Sequence, residues 1–232
     1  MQNEGRKSPN PALARPVLIA VDFSADSQRA LVGGLEFIGS RAVELHLVHV
    51  HVPFEEGDLT GTQESAMLTQ LEHMYQKASS SRLISERTVV SYSVERDIAP
   101  AAALLRYAAE NRIELMITGT HGRRGFRRLI LGSVAEEIVR MSRCPVLTIG
   151  GHADCRLGPE TESILVPVDF SDESSRTLTA SRTIANEYSA SLDILHVVEE
   201  AVHPAFYNTG VFSVYDVRPD LDRQAIRELE KL

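Results

Sequence analysis

The sequence predicts an α/β fold, in which a doubly wound parallel sheet of five strands is followed by a partial second copy. Three observations predict it. Short apolar runs alternate with segments of helical periodicity, a glycine-rich loop follows the fourth run, and one stretch of chain recurs 147 residues later. Near-continuous apolar strands are typical of a parallel sheet that helices cover on both faces. Ligands of such sheets bind at the carboxyl ends of the strands, near the point where strand order reverses.

The elements of the first half follow from hydrophobic periodicity and from right-handed crossovers between parallel strands. Asp97 is in position to cap the third helix. Predicted strands are 17–21, 45–50, 88–94, 114–118 and 145–149, and predicted helices run through 30–38, 67–75, 103–108 and 133–141.

An internal repeat links the two halves of the chain. Val-Asp-Phe-Ser at 21–24 returns at 168–171, and residues 17–50 match 164–197 at 11 of 34 positions without a gap, which indicates duplication. The glycine loop of the second copy would fall beyond Leu232. The given sequence is therefore interpreted either as a truncated version of a longer tandem protein or as one whose second half is a degenerate partial domain. The predicted organisation is a flexible leader at 1–15, a complete domain at 16–150, a linker at 151–162 and a partial second domain at 163–232.

Composition narrows the classes of function. The 232 residues are 43% hydrophobic and 24% charged, as in a globular protein, and the net charge of −8 argues against nucleic-acid binding and favours a small ligand. Cys144 and Cys155 have no Cys or His at metal-ligand spacing, so neither a metal site nor a disulfide framework is expected. Because the N-terminus lacks a signal-peptide core and no window of 18 apolar residues occurs, we expect a cytoplasmic protein that does not bind membranes.

The strongest chemical motif is the glycine loop between the fourth strand and the next helix. Gly119-Thr-His-Gly122 is followed, after nine residues, by Gly132-Ser133. Glycine lets the backbone approach phosphate oxygens, and free N–H groups at a helix start favour negative charge. The motif therefore predicts a phosphate site. In the alternative interpretation the glycines only form turns, and Ser133 with Glu136 forms a capping box.

Charged residues inside the loop suit phosphate as well. His121, Arg123 and Arg124 are candidate phosphate contacts, in a cluster that continues with Arg127 and Arg128. A solvated surface or a docking patch is the alternative for each arginine. His49 and His196, which recur in the repeat, are expected to be hydrogen-bonded core residues.

The pattern G-x2-G-x9-G-S/T, with a first strand that ends in Asp and a second that ends in His-Val, resembles the universal stress protein family. The resemblance covers about 16–150 in full and 163–232 in part. It implies an adenine nucleotide alpha hydrolase-like fold with Asp22 and the backbone of Val50 at the base. For ribose and phosphates it implies Gly119, Gly122, Gly132 and Ser133. Asp22 has an alternative role as a cap or turn residue before the first helix.

The resemblance also implies a homodimer through the strand at 145–149. The second half keeps Asp169 and Val197 but has no phosphate loop, so we expect one nucleotide per chain, bound in the first half.

The function expected from these motifs is regulatory: an ATP- or adenine-nucleotide-binding universal stress protein of the stress response. ATP or AMP, with or without Mg²⁺, is the expected ligand, and cyclic AMP is not distinguished from them. There is no positioned general base and no G-x4-G-K-S/T motif, so we expect no catalytic residues and at most slow ATP hydrolysis. The alternatives are a subunit of a nucleotide-dependent enzyme, such as an adenylate-forming ligase or a flavoprotein, and a non-catalytic dimerisation module.

Overall fold

The computed structural model describes residues 15–53, 60–120, 131–150, 158, 160–198 and 220–232. Contacts divide the chain into two compact units, 1–158 and 159–232. The division falls inside the predicted linker. Within the described ranges, no helix is long and apolar enough to cross a membrane.

The first unit is a five-stranded parallel sheet flanked by helices. Its strand order is β3–β2–β1–β4–β5, and every neighbouring pair is parallel. The order reverses between β1 and β4, so the predicted doubly wound α/β sheet is confirmed. The elements are β1 (Pro16–Ala20), α1 (Ala25–Ile38), β2 (Glu44–His51), α2 (Gly61–Ser79), β3 (Val89–Arg96), α3 (Pro100–Glu110), β4 (Leu115–Gly119), α4 (Ser133–Met141) and β5 (Val146–Ile149).

Two apolar layers cover the faces of this sheet, because successive strand residues point to opposite sides. On one face Ile19 and Leu47 pack against α1 and α2. On the other face Leu18, Val48 and Val50 pack against α3 and α4. A crossover helix therefore covers each face, as a buried parallel sheet requires.

Helix α1 lies close to the sheet through two adjacent glycines. A Cβ added at Gly33 would lie 2.9 Å from Cδ1 of Ile149, and one at Gly34 would lie 3.0 Å from Cδ1 of Ile19. Real side chains do not tolerate such distances without a shift of the packed neighbours. The glycine pair therefore sets how closely α1 approaches the centre of the sheet.

The cap predicted at Asp97 is wrong. Helix α3 begins at Pro100 with Ala99 as its N-cap, and no side chain caps it. The Asp97 carboxylate accepts hydrogen bonds from the Ala99 N–H and from Arg106, each at 3.0 Å, and the Ala99 bond is the main cause of its lowered pKa. Pro100 begins the helix because the fixed φ of proline suits the first helical position, where no N–H is needed.

The second unit contains a smaller parallel sheet of two strands. Its elements are β6 (Ser163–Pro167), α5 (Asp172–Tyr188), β7 (Ser191–Leu195) and α6 (Leu221–Leu229). The pairing of β6 with β7 has the register of β1 with β2 shifted by 147 residues, from Ser163 opposite Ser191 to Pro167 opposite Leu195. Val166 and Val168 form its core together with Leu178 of α5.

His46, a buried histidine on β2, lies in surroundings that lower its pKa. Nδ1 of His46 lies 2.9 Å from the hydroxyl of Tyr107 in α3, and its Nε2 lies 3.5 Å from a carboxylate oxygen of Glu44. Burial lowers the pKa of His46 from its ordinary value of 6.5, and Glu44 opposes this only in part. The folded state therefore keeps His46 neutral where the unfolded chain already binds a proton.

We expect the free energy of unfolding to fall as the pH is lowered from about 7.5 through 6.5, because the unfolded state then binds the additional proton. His46→Gln should reduce this slope, measured by urea unfolding at several pH values. The matched change at the exposed His73 in α2, His73→Gln, should keep it. An unchanged slope in His46→Gln would contradict the assignment.

Candidate functional site

The candidate site lies at the carboxyl ends of β1 and β4, where the strand order reverses. Gly119 is the last residue of β4 and is buried. A Cβ added at Gly119 would lie 3.1 Å from both the carbonyl carbon and the carbonyl oxygen of Asp26, in the first turn of α1. Glycine is therefore needed at this position for packing, and the start of α1 lies directly against the end of β4.

Asp22 follows β1 in a tight turn into α1. One of its carboxylate oxygens accepts hydrogen bonds from the N–H and the hydroxyl of Ser24, at 3.0 and 2.5 Å. Phe23 between them has φ of 63°, in the left-handed region. Ser24 is the N-cap of α1 and accepts from the N–H of Ser27 at 3.1 Å. Asp22 thus acts as a turn residue before the first helix, which was the alternative to a role at the base. The turn holds its carboxylate at the end of β1, where the strand order reverses.

The peptide groups of Val50 point toward the β1 side of β2. The alternation is set by two bonds: the Val21 N–H donates to the Val48 carbonyl at 2.9 Å, and the Asp97 N–H donates to His51 at 3.2 Å on the other side. Val21, directly after β1, donates the last of these backbone bonds, and among the described residues no backbone N–H that follows it donates to Val50. The side chain of Val50 belongs to the core, so its backbone is what it offers to a ligand.

The side chain of His49, on β2, forms a hydrogen bond to the backbone just after β1. Its Nδ1 lies 2.8 Å from the carbonyl oxygen of Val21, which can only accept, so the Nδ1 carries the proton. The ring packs on Phe23, with centroids 4.5 Å apart. The expected core role of His49 agrees with this geometry.

The glycine loop is closed at its base by backbone hydrogen bonds. The Gly132 N–H donates to the Thr120 carbonyl at 2.7 Å, and the Thr120 N–H donates to the Ile149 carbonyl at 3.1 Å. These two bonds bring the start of α4 back to the carboxyl end of β4. Residues 121–130, and with them Gly122, His121, Arg123 and Arg124, lie outside the described residues.

Helix α4 begins without a side-chain cap, so the capping box of Ser133 with Glu136 is wrong. Gly132 is the N-cap, and its carbonyl accepts the first helical bond, from Glu136, at 2.8 Å. Ser133 is the first helical residue and is exposed. The N–H groups of the first turn have no partner inside the helix, because an α-helix bonds only from its fourth residue on. These N–H groups belong to residues 133, 134 and 135.

The second unit reproduces the backbone of the Asp22 turn, while the hydroxyl that donates to Asp169, at 2.5 Å, is that of Ser174. Asp169 accepts from the N–H of Ser171 at 3.0 Å, Phe170 has φ of 64°, and Nδ1 of His196 lies 2.8 Å from the carbonyl of Val168. Hydrogen bonds from Ser171 and Ser174 hold the pKa of Asp169 well below its usual range. A groove of about 370 Å³ opens beside this turn, at the carboxyl ends of β6 and β7.

The two turns differ in what lies next to them. Asp22 follows β1, which pairs with β4, and the start of α4 is bonded back to the carboxyl end of β4. Among the residues described in the second unit, no strand pairs with β6 on its other side, so Asp169 has no equivalent neighbour there. Across the parts of the chain that the structure describes, no group of three or more His, Cys, Asp or Glu side chains could hold a metal ion.

Two residues of this edge were not predicted as part of the site. Ser24 holds Asp22 in place, and Asp26 presents its backbone to Gly119. A serine three residues before the N–H it caps is a recognisable helix start, so Ser24 had a sequence signal. The contact of Asp26 with Gly119 joins positions far apart in the chain and had none.

Comparison with known proteins identifies the family. The sequence profile of the Universal stress protein family matches residues 14–150. The chain belongs to the universal stress protein family. It is 24% identical over 146 residues to Universal stress protein YxiE of Bacillus subtilis, covering 57% of this chain and 97% of that protein. It is 31% identical over 140 residues to Universal stress protein Rv2005c of Mycobacterium tuberculosis, covering 60% of this chain but only 46% of that longer protein.

Solved universal stress proteins share the fold. A universal stress protein of Archaeoglobus fulgidus matches 85% of this chain and 71% of its own, with a TM-score of 0.57 and 19% identity. Two further members were solved with cAMP (20% identity, TM-score 0.46, 61% of this chain and 100% of that one) and, from Archaeoglobus fulgidus, with dAMP (19%, 0.43, 59% and 98%). These nucleotides are ligands of those two proteins.

Proposed function

We propose that the first unit of this universal stress protein binds one adenine nucleotide, ATP or AMP, and acts as a nucleotide-dependent regulator in the stress response. The observation that carries the proposal is the uncapped start of α4, which the bond between Gly132 and Thr120 ties to the carboxyl end of β4. Unpaired N–H groups at the positive end of a helix dipole form a site for phosphate.

The roles of the residues follow from their places at this edge. The N–H groups of the first turn of α4 and the hydroxyl of Ser133 hold phosphates, and Gly132 presents no Cβ to them. Asp22 and the Val50 backbone lie on the other side of the switch point, where they bind ribose and base. Gly122, His121, Arg123 and Arg124 complete the phosphate contacts, with or without Mg²⁺.

The proposed role is binding without catalysis. The Asp22 carboxylate accepts hydrogen bonds from the N–H and the hydroxyl of Ser24, and the chain has no G-x4-G-K-S/T motif. We therefore propose that ATP is hydrolysed slowly or not at all. Given its two cysteines without a pairing pattern, we also propose a reducing, cytoplasmic location.

The direct test is identification of the bound nucleotide. The purified protein is denatured, and the released small molecules are separated and identified by mass spectrometry. Calorimetric titration of nucleotide-free protein with ATP, AMP and cyclic AMP then ranks the three ligands. We expect an adenine nucleotide at about one per chain. Absence of binding to all three at millimolar concentration would overturn the proposal.

We further propose a homodimer through β5. It is an edge strand of the sheet, and the preceding α4 has the exposed apolar side chains of Val139 and Met141 near its end. The β4–β5 bonds involve the carbonyls of 145 and 149, so the alternation directs the peptide groups of Val146 and Thr148 outward. An open apolar edge of this kind pairs readily with another strand.

Thr148→Lys should convert the dimer to a monomer, because a charge on the edge opposes strand pairing. Light scattering of the wild-type and variant proteins at micromolar concentration measures this. The exposed Leu83, far from β5 in the sequence and outside the sheet, provides the control Leu83→Lys, which should remain dimeric. A monomeric wild-type protein would contradict the proposal.

We propose that 163–232 is a partial second copy of the domain. The shared strand register, the paired turns and the equal histidine bonds support this, since each recurs at an offset of 147 residues. The second copy contributes surface to the protein, while the first binds nucleotide.

A further inference from the structure

A groove lies between helices α1 and α2 of the first unit, and we call it the α1–α2 groove. Its volume is about 380 Å³. Its helical lining residues follow the spacing of three and four that places side chains on one face of a helix. They are positions 25, 28, 29 and 32 of α1 and positions 74, 77 and 78 of α2. None of the described residues that line it belongs to the proposed nucleotide site, so the groove is a separate feature of the unit.

The floor of the α1–α2 groove is apolar. Met74 and Ala78 belong to the core on this face of the sheet, and the half-buried Val32 packs against that core. An apolar group in the groove would therefore rest directly on the core of the first unit. Removal of apolar surface from water is favourable in proportion to its area, so the floor favours a ligand with an apolar body.

Three cationic side chains border this floor: Arg29 of α1, Lys77 of α2, and Arg82 just after α2. Carboxylates outside the described lining neutralise two of them. Arg29 forms an ion pair with Asp26, and Nη2 of Arg82 lies 3.1 Å from a carboxylate oxygen of Glu36. Within the residues that the structure describes, the Lys77 ammonium group forms no ion pair. The groove therefore keeps one uncompensated positive charge, at Lys77.

The cations of the groove also interact with the end of α2. Nη1 of Arg82 donates to the Ala78 carbonyl at 2.5 Å, and together with the Glu36 ion pair this holds the guanidinium in place. Lys77 lies in the last turn of α2, where a cation interacts favourably with the helix dipole. A role limited to the helix end would require no ligand, so Lys77 has to be tested for both stability and binding.

The size and charge of the groove determine the class of ligand that fits it. Eight described residues line it, whereas a specific protein interface takes roughly 20–30 residues on each side, so the groove suits a small molecule. Small-molecule sites have volumes of about 300–1,000 Å³ and are mostly apolar, with a few polar groups that fix the orientation of the ligand. One uncompensated cation is matched by one negative charge, which favours a monocarboxylate over a phosphate dianion.

We propose that the α1–α2 groove binds a small apolar molecule that carries one carboxylate, such as a medium-chain fatty acid. The carboxylate pairs with Lys77. The apolar chain lies on Val32, Met74 and Ala78, against the methylene groups of the surrounding cationic side chains. This site is additional to the proposed nucleotide site and does not depend on it.

Octanoate is the probe, and octylammonium and acetate are its controls. Octylammonium keeps the alkyl chain and reverses the charge, while acetate keeps the carboxylate and lacks the chain. Binding to the isotope-labelled full chain is followed by the NMR chemical shifts of its amides. We expect saturable shifts around Val32, Met74 and Lys77, and an affinity for octanoate at least tenfold higher than for either control. Hexanoate should bind about fourfold more weakly than octanoate, the effect of burying about half of two methylene groups.

Variants of the chain test the role of the charge. Lys77→Glu should reverse the preference, so that octylammonium binds more tightly than octanoate, and Lys77→Arg should keep the preference for octanoate. Arg87→Glu makes the same change in net charge at an exposed cation outside the described lining, and it should leave octanoate binding unchanged. Circular dichroism and urea unfolding measure the folding of each variant. If Lys77→Glu does not fold, Lys77→Gln should abolish the preference.

Several outcomes would overturn the proposal. Equal affinity for octanoate and octylammonium would remove the role of the charge, and an unchanged preference in the Lys77→Glu or Lys77→Gln protein would remove Lys77 from the site. Displacement of octanoate by ATP would place the alkyl chain in the nucleotide site instead. Absence of binding at millimolar octanoate would leave Lys77 only its role at the helix end, which a lower free energy of unfolding of Lys77→Gln would reveal.

Discussion

Gly132→Val is expected to reduce the affinity for ATP by at least tenfold while the first unit remains folded. Gly132 has φ of −74° and ψ of 159°, a conformation open to any residue, so the substitution introduces no backbone strain. A branched side chain at this N-cap would occupy space next to the first turn of α4, whose N–H groups have no partner inside the helix, and would keep phosphate away from them. Loss of one or two charge-assisted hydrogen bonds, about 1.5–3 kcal/mol each, corresponds to a ten- to hundredfold or larger change.

Gly61→Val is a suitable control for this substitution. Gly61 also begins a helix, and a Cβ added there meets no atom within 4 Å. Calorimetric titration with ATP measures the affinity of both variants, and circular dichroism with urea unfolding measures their folding. Wild-type affinity in a folded Gly132→Val protein would remove the start of α4 from the site. Equal loss in both variants would indicate a general effect of valine at helix starts.

Much of the fold could be predicted because the signals are local. The five apolar strands were predicted to within two residues at each end, and the helix at 133–141 has the bounds of α4. The other helices begin before their predicted apolar positions, α1 at Ala25 and α3 at Pro100. The difference is largest for helix α2, which begins at Gly61, well before the apolar positions from 67 on. Its first turn is polar and is defined by the Thr60 cap, which hydrophobic periodicity does not register.

The geometry of the site could be predicted only in part because it depends on long-range contacts. The S-x-x-E pattern at Ser133 is a local signal for an N-cap, but the N-cap is Gly132, whose N–H donates to the Thr120 carbonyl, and Ser133 is the first helical residue. Gly119 was selected for phosphate, while its close contact is with the backbone of Asp26. Both facts join residues that are distant in the chain, and a single sequence does not encode such pairs in its local patterns.

The two Asp turns allow a test of which half binds nucleotide. Asp22→Ala and Asp169→Ala each remove a carboxylate that holds a serine at a helix start, through bonds of 3.0 Å to the serine N–H in both cases. Their effects on local structure should therefore be similar. Among the described residues, only Asp22 follows a strand that pairs with β4, to whose carboxyl end the uncapped start of α4 is bonded.

We therefore expect Asp22→Ala to weaken ATP binding about tenfold or more, and Asp169→Ala to leave it unchanged, with a calorimetric stoichiometry of one nucleotide per chain in both. The groove beside Asp169 is lined by the turn, a histidine and the start of α5, where the Ser171 hydroxyl caps the Ser174 N–H. Its described lining has no counterpart of the uncapped start of α4, so a nucleotide there would lack the phosphate contacts proposed for the first unit, and such contacts are usually the stronger ones. Two equivalent sites per chain would mean that the second unit binds nucleotide as well. Loss of binding in Asp169→Ala alone would mean that the second unit binds it instead of the first. Equal loss in both variants would instead mean that the turns act through folding, which urea unfolding of the two proteins would reveal.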